Sequence, residues 1–116
     1  MEINSVSHQN WSVTQKQVTA ALKHLGFQAS ITKVVNGEEQ STMKAWACWD
    51  INDKLNLAQG PSNLTGNQKQ IYIAGTLKQA PVPGDLIKQG SDVWSVVEAE
   101  AYKPASLILA YRVVCQ

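Results

Sequence analysis

The stretch PVPGDLIKQGSDVWSVVEAE, residues 81–100, sets two prolines and two glycines around two short apolar runs. Proline cannot donate to a strand ladder and Gly84 can adopt the backbone of a sharp turn, so strand pairing must pause before Asp85. The chain then runs through a short strand, reverses at residues 89–91 and returns as a second strand. The stretch therefore predicts a β-hairpin that follows a tight turn.

Apolar residues alternate with polar ones on both sides of this hairpin, as they do in half-buried strands. An Asn36-Gly37 pair between two such runs is a strong signal for a hairpin turn. The second arm of the hairpin is apolar on both faces, with Val93 and Val97 opposite Trp94 and Val96, which predicts cover on both sides. The predicted inward positions in the other strands are Phe27, Ala29, Ile31, Met43, Ala45, Ala47, Trp49, Ile71, Ile73, Leu107, Leu109, Tyr111 and Val113.

Five to six short strands after one helix predict a mainly β fold, a small antiparallel β-barrel or sandwich with one N-terminal helix and a long inserted loop. Closing such a sheet removes the open strand edges that invite aggregation. With 116 residues, the chain has the size of one domain, 1–116, in which residues 27–116 form the barrel.

The N-terminal part predicts an arm followed by a short helix over residues 14–26. Thr14 and Gln17 have the spacing of a capping box, and Gly26 can end the helix in a left-handed conformation. Val18, Ala21, Leu22 and Leu25 follow at helical spacing as one apolar stripe. Residues 1–13 are expected to form a flexible or loosely docked arm, whose candidate interface residues are Val6 and Trp11.

The segment between Ile51 and Lys69 is rich in Asn, Gly, Ser and Gln and contains three isolated leucines. A loop of this length inside a compact domain, residues 51–69, is usually functional or disordered. It is either a solvated insertion or a segment that docks onto its own domain or a partner. The candidate interface residues in it are Lys54, Leu55, Leu57, Asn63 and Leu64.

Charge and composition weigh against several classes of protein. Ten Lys and Arg against nine acidic residues give a formal net charge of +1, without the basic excess typical of nucleic-acid binders. No run of about 18 apolar residues predicts a membrane span, and the polar N-terminus lacks the apolar core of a secretion signal. Cys48 and Cys115 are isolated, which favours reduced thiols in a cytosolic setting over a disulfide framework.

The residues that could carry catalysis are few. His8 and His24 have no metal-ligand spacing, and no nucleophile elbow or phosphate-binding glycine loop occurs. Glu38 and Glu39 follow a turn and are expected to face solvent, and Glu98 and Glu100 are expected to share one strand face, so neither pair is a strong candidate for acid and base. The sequence therefore predicts no catalytic residue, no metal and no cofactor, and an enzyme remains only a minor alternative.

Aromatic residues support one further alternative. Trp46, Tyr72 and Trp94 fall on strand faces that could point outward and stack on bases, as in small barrels that bind single-stranded nucleic acid. Only scattered lysines, such as Lys44 and Lys69, lie near them in sequence. Packing of these rings in the core or in a protein interface is the favoured interpretation.

The C-terminal part carries a recognisable pattern. IYIAG at residues 71–75 precedes the turn of Pro83, Gly84 and Asp85, a Trp-Ser-Val-Val arm follows, and KPASLILAYRVVCQ ends the chain at residues 103–116. This pattern resembles the head-completion proteins of long-tailed bacteriophages, also called head-tail joining or head-closure (stopper) proteins. The resemblance covers residues 43–50 and 70–114.

The resemblance implies a non-enzymatic structural protein of the virion, assembled in the host bacterial cytoplasm. Such proteins are small β-barrels that form a homo-oligomeric ring at the head-tail connector, close the DNA-filled head and dock the tail. The implied partners are a portal or adaptor protein and a tail terminator or tail tube protein, with packaged DNA near the channel and no membrane. By analogy, the loop 51–69 would point to the channel or a neighbouring ring, and the arm 1–13 to an adjacent subunit. An adaptor or tail-terminator subunit is a related alternative.

Overall fold

The computed structural model describes residues 2–50, 68–104 and 106–116, with side chains from residue 11 onward. One helix precedes six strands: α1 Glu2–Leu25, β1 Phe27–Val35, β2 Glu38–Trp49, β3 Lys69–Ala74, β4 Leu86–Gln89, β5 Asp92–Tyr102 and β6 Ala110–Cys115. All neighbouring strands are antiparallel, and they close in the order β1-β2-β3-β6-β5-β4. The predicted mainly β fold with one N-terminal helix is confirmed.

Aliphatic side chains fill the interior of the barrel. Ile31, Ile73 and Val113 come from three different strands and are each 0% exposed. The predicted alternation is confirmed for most positions, and the half-buried Phe27, Met43 and Trp49 pack against the same core. The fully or nearly buried members of this core include Ala29, Ala45, Ala47, Ile71, Ile87, Val96, Leu109, Tyr111 and Cys115.

The turn that leads into β4 is built around Gly84 and Asp85. Gly84 has a φ of 98°, which a residue without a side chain adopts at little cost. The Gly84 amide donates to the Val96 carbonyl at 2.9 Å, and the Val96 amide donates to the Asp85 carbonyl at 2.8 Å. The predicted tight turn at Gly84 is confirmed, but hydrogen bonding to β5 continues through this turn instead of pausing before Asp85.

A bulge explains why β5 is apolar on both faces. Val96 pairs with Cys115 while Glu98 pairs with Val114, so Val97 is an extra residue. The inward face therefore changes from even positions, such as Val96, to odd ones, such as Ala99. The prediction that β5 is covered on both of its faces is wrong, because Val93 is 52% exposed and Val97 is 36% exposed.

The predicted boundary between the arm of residues 1–13 and a short helix of residues 14–26 is also wrong. The helix begins at Glu2 instead of Thr14, so Thr14 is an interior residue of α1 and not its N-cap. Residues 1–13 contain neither Pro nor Gly, the two residues that oppose helix growth most strongly. The C-terminal boundary at Leu25 agrees with the predicted stop at Gly26.

Candidate assembly surfaces

The structure describes two of the seven predicted interface residues in part or in full. Trp11 is half-buried on α1, and the backbone of Val6 is helical. The other five lie outside the described residues: Lys54, Leu55, Leu57, Asn63 and Leu64.

Helix α1 lies against the outside of the barrel, mainly over β2 and β3. The Gln15 Nε2 donates to the Ile108 carbonyl at 2.8 Å, and the Lys23 ammonium lies 5.3 Å from the centre of the Trp46 ring. The predicted apolar stripe is only partly right, because Leu25 is 71% exposed. The half-buried positions instead recur at the spacing of one helix face: Trp11, Thr14, Gln15, Val18, Thr19 and Leu22.

Unequal strand lengths leave one edge of β2 open. On one side, β2 pairs with β1 along nearly its whole length, up to the pair Val35↔Glu38. On the other side, β3 pairs only with Ala47, Cys48 and Trp49. Within the described residues, the edge from Glu38 to Trp46 has no ladder partner, and an unpaired row of N–H and C=O groups is a site where another strand can add.

A groove runs beside this open edge. It is lined by Thr42, Met43 and Lys44 of β2 and by Thr76, Leu77 and Lys78 of the segment after β3, and its volume is about 280 Å³. Met43, which is half-buried, and Leu77, which is 7% exposed, lie at the floor of the groove, and its other four lining residues are polar. Lys44 and Lys78 are both exposed at its rim, which is therefore positively charged.

A second open edge lies on β5. Its pairing with β4 ends at Leu86↔Ser95 and continues only through the turn that bonds to Val96, whereas its pairing with β6 extends to Tyr102. The edge from Glu98 to Tyr102 that faces away from β6 has no ladder partner among the described residues. Tyr102 is 64% exposed, so this end of β5 is accessible.

The outer face beside this edge is acidic and centres on Arg112. The Arg112 guanidinium donates to Glu98 and to Glu100, both at 3.1 Å, and to Gln70. Burial lowers the pKa of Arg112, but the hydrogen bond and charge of Glu100, with those of Glu98, outweigh it and raise the pKa overall. The side chains of Glu98 and Glu100 are 54% and 65% exposed, so a negative charge remains at the surface.

The polar network continues inward from Arg112. Gln70 is 3% exposed and donates through Nε2 to the carboxylate of Asp50, which is 4% exposed, and to the Tyr72 hydroxyl at 3.3 Å. Burial and, less strongly, the charge of Asp50 raise the pKa of Tyr72, against a lowering effect of Arg112. A shallow cavity of about 360 Å³ lies beside these groups, lined by Tyr72, Glu100, Ala101, Tyr102, Ala110 and Arg112.

An aromatic cluster lies next to Asp50 and Gln70 of this network, because Trp49, Lys69 and Trp94 line a common pocket with them. The rings of Trp49 and Trp94 meet edge to face at 4.8 Å, and Phe27 stacks on Trp49 at 6.2 Å. The Lys69 ammonium lies 5.8 Å from the Trp49 ring and 6.0 Å from the Trp94 ring. Trp94 packs against the core, so the prediction that it could point outward is wrong, whereas Trp46 and Tyr72 lie on the outer face.

The two thiols differ in environment. Cys48 is half-buried, and Cys115 is 0% exposed. Burial raises the pKa of Cys115 to about 11, while the charge of Lys69 lowers it slightly. Among the residues that the structure describes, no three His, Cys, Asp or Glu side chains come together in a way that could hold a metal ion.

Comparisons with known proteins give no match to a family model, to a curated protein or to a solved structure. None of the helices in the described part of the chain has the length and apolar character needed to cross a membrane. The interpretation of the surfaces therefore depends on their own geometry and chemistry.

Proposed function

We propose that the protein is a structural subunit of the head-tail connector of a long-tailed bacteriophage or prophage. In this proposal it is not an enzyme, forms a homo-oligomeric ring as a head-completion or stopper protein, closes the DNA-filled head and docks the tail. The resemblance of residues 43–50 and 70–114 to that family supports the proposal. Its site of action would be the virion, after assembly in the host bacterial cytoplasm.

One structural observation carries the proposal most directly. The barrel interior is filled by side chains such as Ile31, Ile71 and Ile73, all 0% exposed, while the outside offers the open edges of β2 and β5. Chemistry inside a barrel needs a cavity, whereas binding at its surface needs exposed pairing groups and complementary charge. The balance of features favours a protein that acts through contacts on its outside.

Ring closure explains how weak contacts between subunits could give a stable assembly. A head-to-tail interface that closes on itself forms a ring, and each contact after the first is effectively intramolecular. A near-neutral chain would then form rings in solution through individually modest contacts, and these rings would bind firmly to a portal or adaptor protein. The opposite side of the ring would meet a tail terminator or tail tube protein, and packaged DNA would lie near the channel.

The test is deletion of residues 52–68, the segment proposed to reach a neighbouring ring or the channel. We expect the purified variant to keep the strand-rich circular dichroism spectrum of the parent, and heads that carry it to stop joining tails in an in vitro assay. A companion variant with Leu55, Leu57 and Leu64 changed to Ser, at full loop length, separates the leucines from the length of the loop. Normal tail joining by the deletion variant would show that the loop assignment is wrong.

A second candidate function is binding of single-stranded nucleic acid. The observation that favours it is the position of Lys69 beside both Trp49 and Trp94 at one end of the barrel, because aromatic rings and cations together bind bases and phosphates. An oligonucleotide mobility shift that weakens with salt would support this candidate. The absence of such a shift, together with rings in electron micrographs, would favour the connector.

A further inference from the structure

We infer that adjacent copies join head to tail through strand addition, with the open edge of β5 from one copy in the groove beside the open edge of β2 in the next. The inference rests on the proposed ring and names its subunit contact. The occupant of the groove is therefore the segment Glu98–Tyr102 of a second copy of this chain.

The backbone supplies the first argument. Within the described residues, Glu38–Trp46 of β2 and Glu98–Tyr102 of β5 are long stretches of strand whose second edge has no ladder partner. The corresponding edge of β1 is closed differently, because the Val34 amide donates to the Asp85 carboxylate at 3.3 Å. Pairing the β2 and β5 edges would give both rows of backbone groups hydrogen-bond partners.

Charge supplies the second argument. The groove beside β2 carries Lys44 and Lys78 at its rim, whereas the β5 segment presents Glu98 and Glu100 on its outer face. Opposite charges on neighbouring strands stabilise pairing, and like charges destabilise it. The acidic strand thus matches the basic groove.

Side-chain faces and sizes supply the third argument. Lys44 lies on the outer face of β2, because Met43 and Ala45 face the core, and Glu100 lies on the outer face of β5 with Arg112. An antiparallel register that sets Lys44 opposite Glu100 also sets Met43 opposite Ala101. The small Ala101 leaves room for the Met43 side chain at the floor of the groove.

The same register brings further compatible pairs together. Thr42 comes opposite Tyr102, and Trp46 comes opposite Glu98. A symmetric pairing of two β2 edges would instead use Glu39, which is already bound to Lys88 at 3.1 Å, and would produce a closed dimer. The bulge at Gln40, between the pairs Lys33↔Ser41 and Val34↔Glu39, also interrupts a β2-to-β2 ladder. The β2-to-β5 contact is head to tail and can close a ring.

Two charge reversals test this contact. Lys44→Glu reverses a charge in the groove of a copy and leaves its β5 edge unchanged. Glu100→Lys reverses a charge on the β5 edge and leaves the groove unchanged. We expect each variant alone to lose self-association by about tenfold or more in sedimentation velocity, because like charges face each other at every contact. An equimolar mixture should assemble again as alternating copies, with wild-type pairs at one contact and reversed pairs at the next.

The controls separate this inference from the proposed ring. Lys16→Glu changes the charge on an exposed part of α1 by the same amount and should leave association unchanged. If Lys44→Glu lost association but Glu100→Lys kept it, the result would indicate β2-to-β2 pairing and would overturn the inference. A mixture of the two variants that fails to assemble would also overturn it. If Lys44→Glu alone and Glu100→Lys alone each formed rings normally, the inference would be overturned and the ring proposal would stand. A wild-type chain that stays monomeric at about 1 mM would overturn both.

Discussion

The Lys33 ammonium lies 2.6 Å from the Asp85 carboxylate and joins β1 to the turn before β4. β1 and β4 pair over only three residues, from Ser30↔Lys88 to Thr32↔Leu86, so this contact extends the seam at which the barrel closes. Asp85 is 1% exposed and also accepts the Val82 amide at 3.0 Å. One carboxylate therefore holds the Pro-Gly-Asp turn and the closing strand together.

Asp85→Asn is expected to lower the free energy of unfolding by about 3 kcal/mol, since it leaves the largely buried Lys33 ammonium without its counter-charge. The matched control is Glu39→Gln, which removes an ion pair with Lys88 in which Glu39 is 56% exposed. That control should cost less than about 1 kcal/mol. Urea denaturation measures both, and equal small losses would show that the Lys33–Asp85 pair does not hold the seam.

Gly26→Ala is expected to destabilise the protein far more than Gly37→Ala. A Cβ atom at Gly26 would lie 1.8 Å from the Ala47 carbonyl oxygen, so helix and strand would have to separate, at a cost of about 3 kcal/mol or more. A Cβ atom at Gly37 would meet no other atom, and the cost there comes from its φ of 81°, which strains an Ala by about 1 kcal/mol. Thermal unfolding of the two variants ranks them, and the reverse order would mean that α1 does not meet β2 at Gly26.

Stability is expected to fall between pH 9 and 11. The thiol of Cys115 has an ordinary pKa of 9.0 when unfolded, and burial raises it to about 11 in the fold. In this window the unfolded state loses a proton that the folded state keeps, so a rise in pH favours unfolding, by up to about 2 kcal/mol. Below pH 10 the loss should vanish in Cys115→Ala and persist in Cys48→Ala, as measured by urea denaturation at each pH. Above pH 10 part of the loss should remain in Cys115→Ala, because burial also raises the pKa of Tyr72 and of Tyr111 above 10.

Ile73→Ala is expected to cost about 3 kcal/mol, because the side chain is 0% exposed in the barrel interior. Val93→Ala, on the outer face of β5 and 52% exposed, should change stability by less than about 0.5 kcal/mol. Guanidinium unfolding monitored by Trp fluorescence measures both. Similar losses for the two variants would contradict the assignment of inner and outer faces.

The strands and the core were predictable because their signals are local. Alternation placed Ile31, Ile71 and Ile73 inward, and the Asn36-Gly37 turn has the positive φ angles, 53° and 81°, that its sequence favours. The capping signal at Thr14 led to a wrong helix start, because a good local cap does not prevent a helix from continuing upstream. The two-faced apolar pattern of β5 misled because a bulge at Val97 reverses the inward face.

The open edges of β2 and β5 could not be predicted from the sequence. They arise where β3 and β4 stop short of their neighbours, and strand ends are set by contacts between residues far apart in the chain. The Arg112 cluster depends in the same way on the register that sets Glu100 opposite Arg112. The interface residues predicted within 51–69 lie outside the described residues and stay predictions.

The proposed ring is best tested by negative-stain electron microscopy of the purified chain, with native mass spectrometry of the same sample. We expect closed rings of a single stoichiometry that bind portal-bearing heads, and we expect the Lys44→Glu substitution to disperse them. A monomer at every attainable concentration, with no affinity for heads and with salt-dependent binding to single-stranded oligonucleotides, would contradict the proposal.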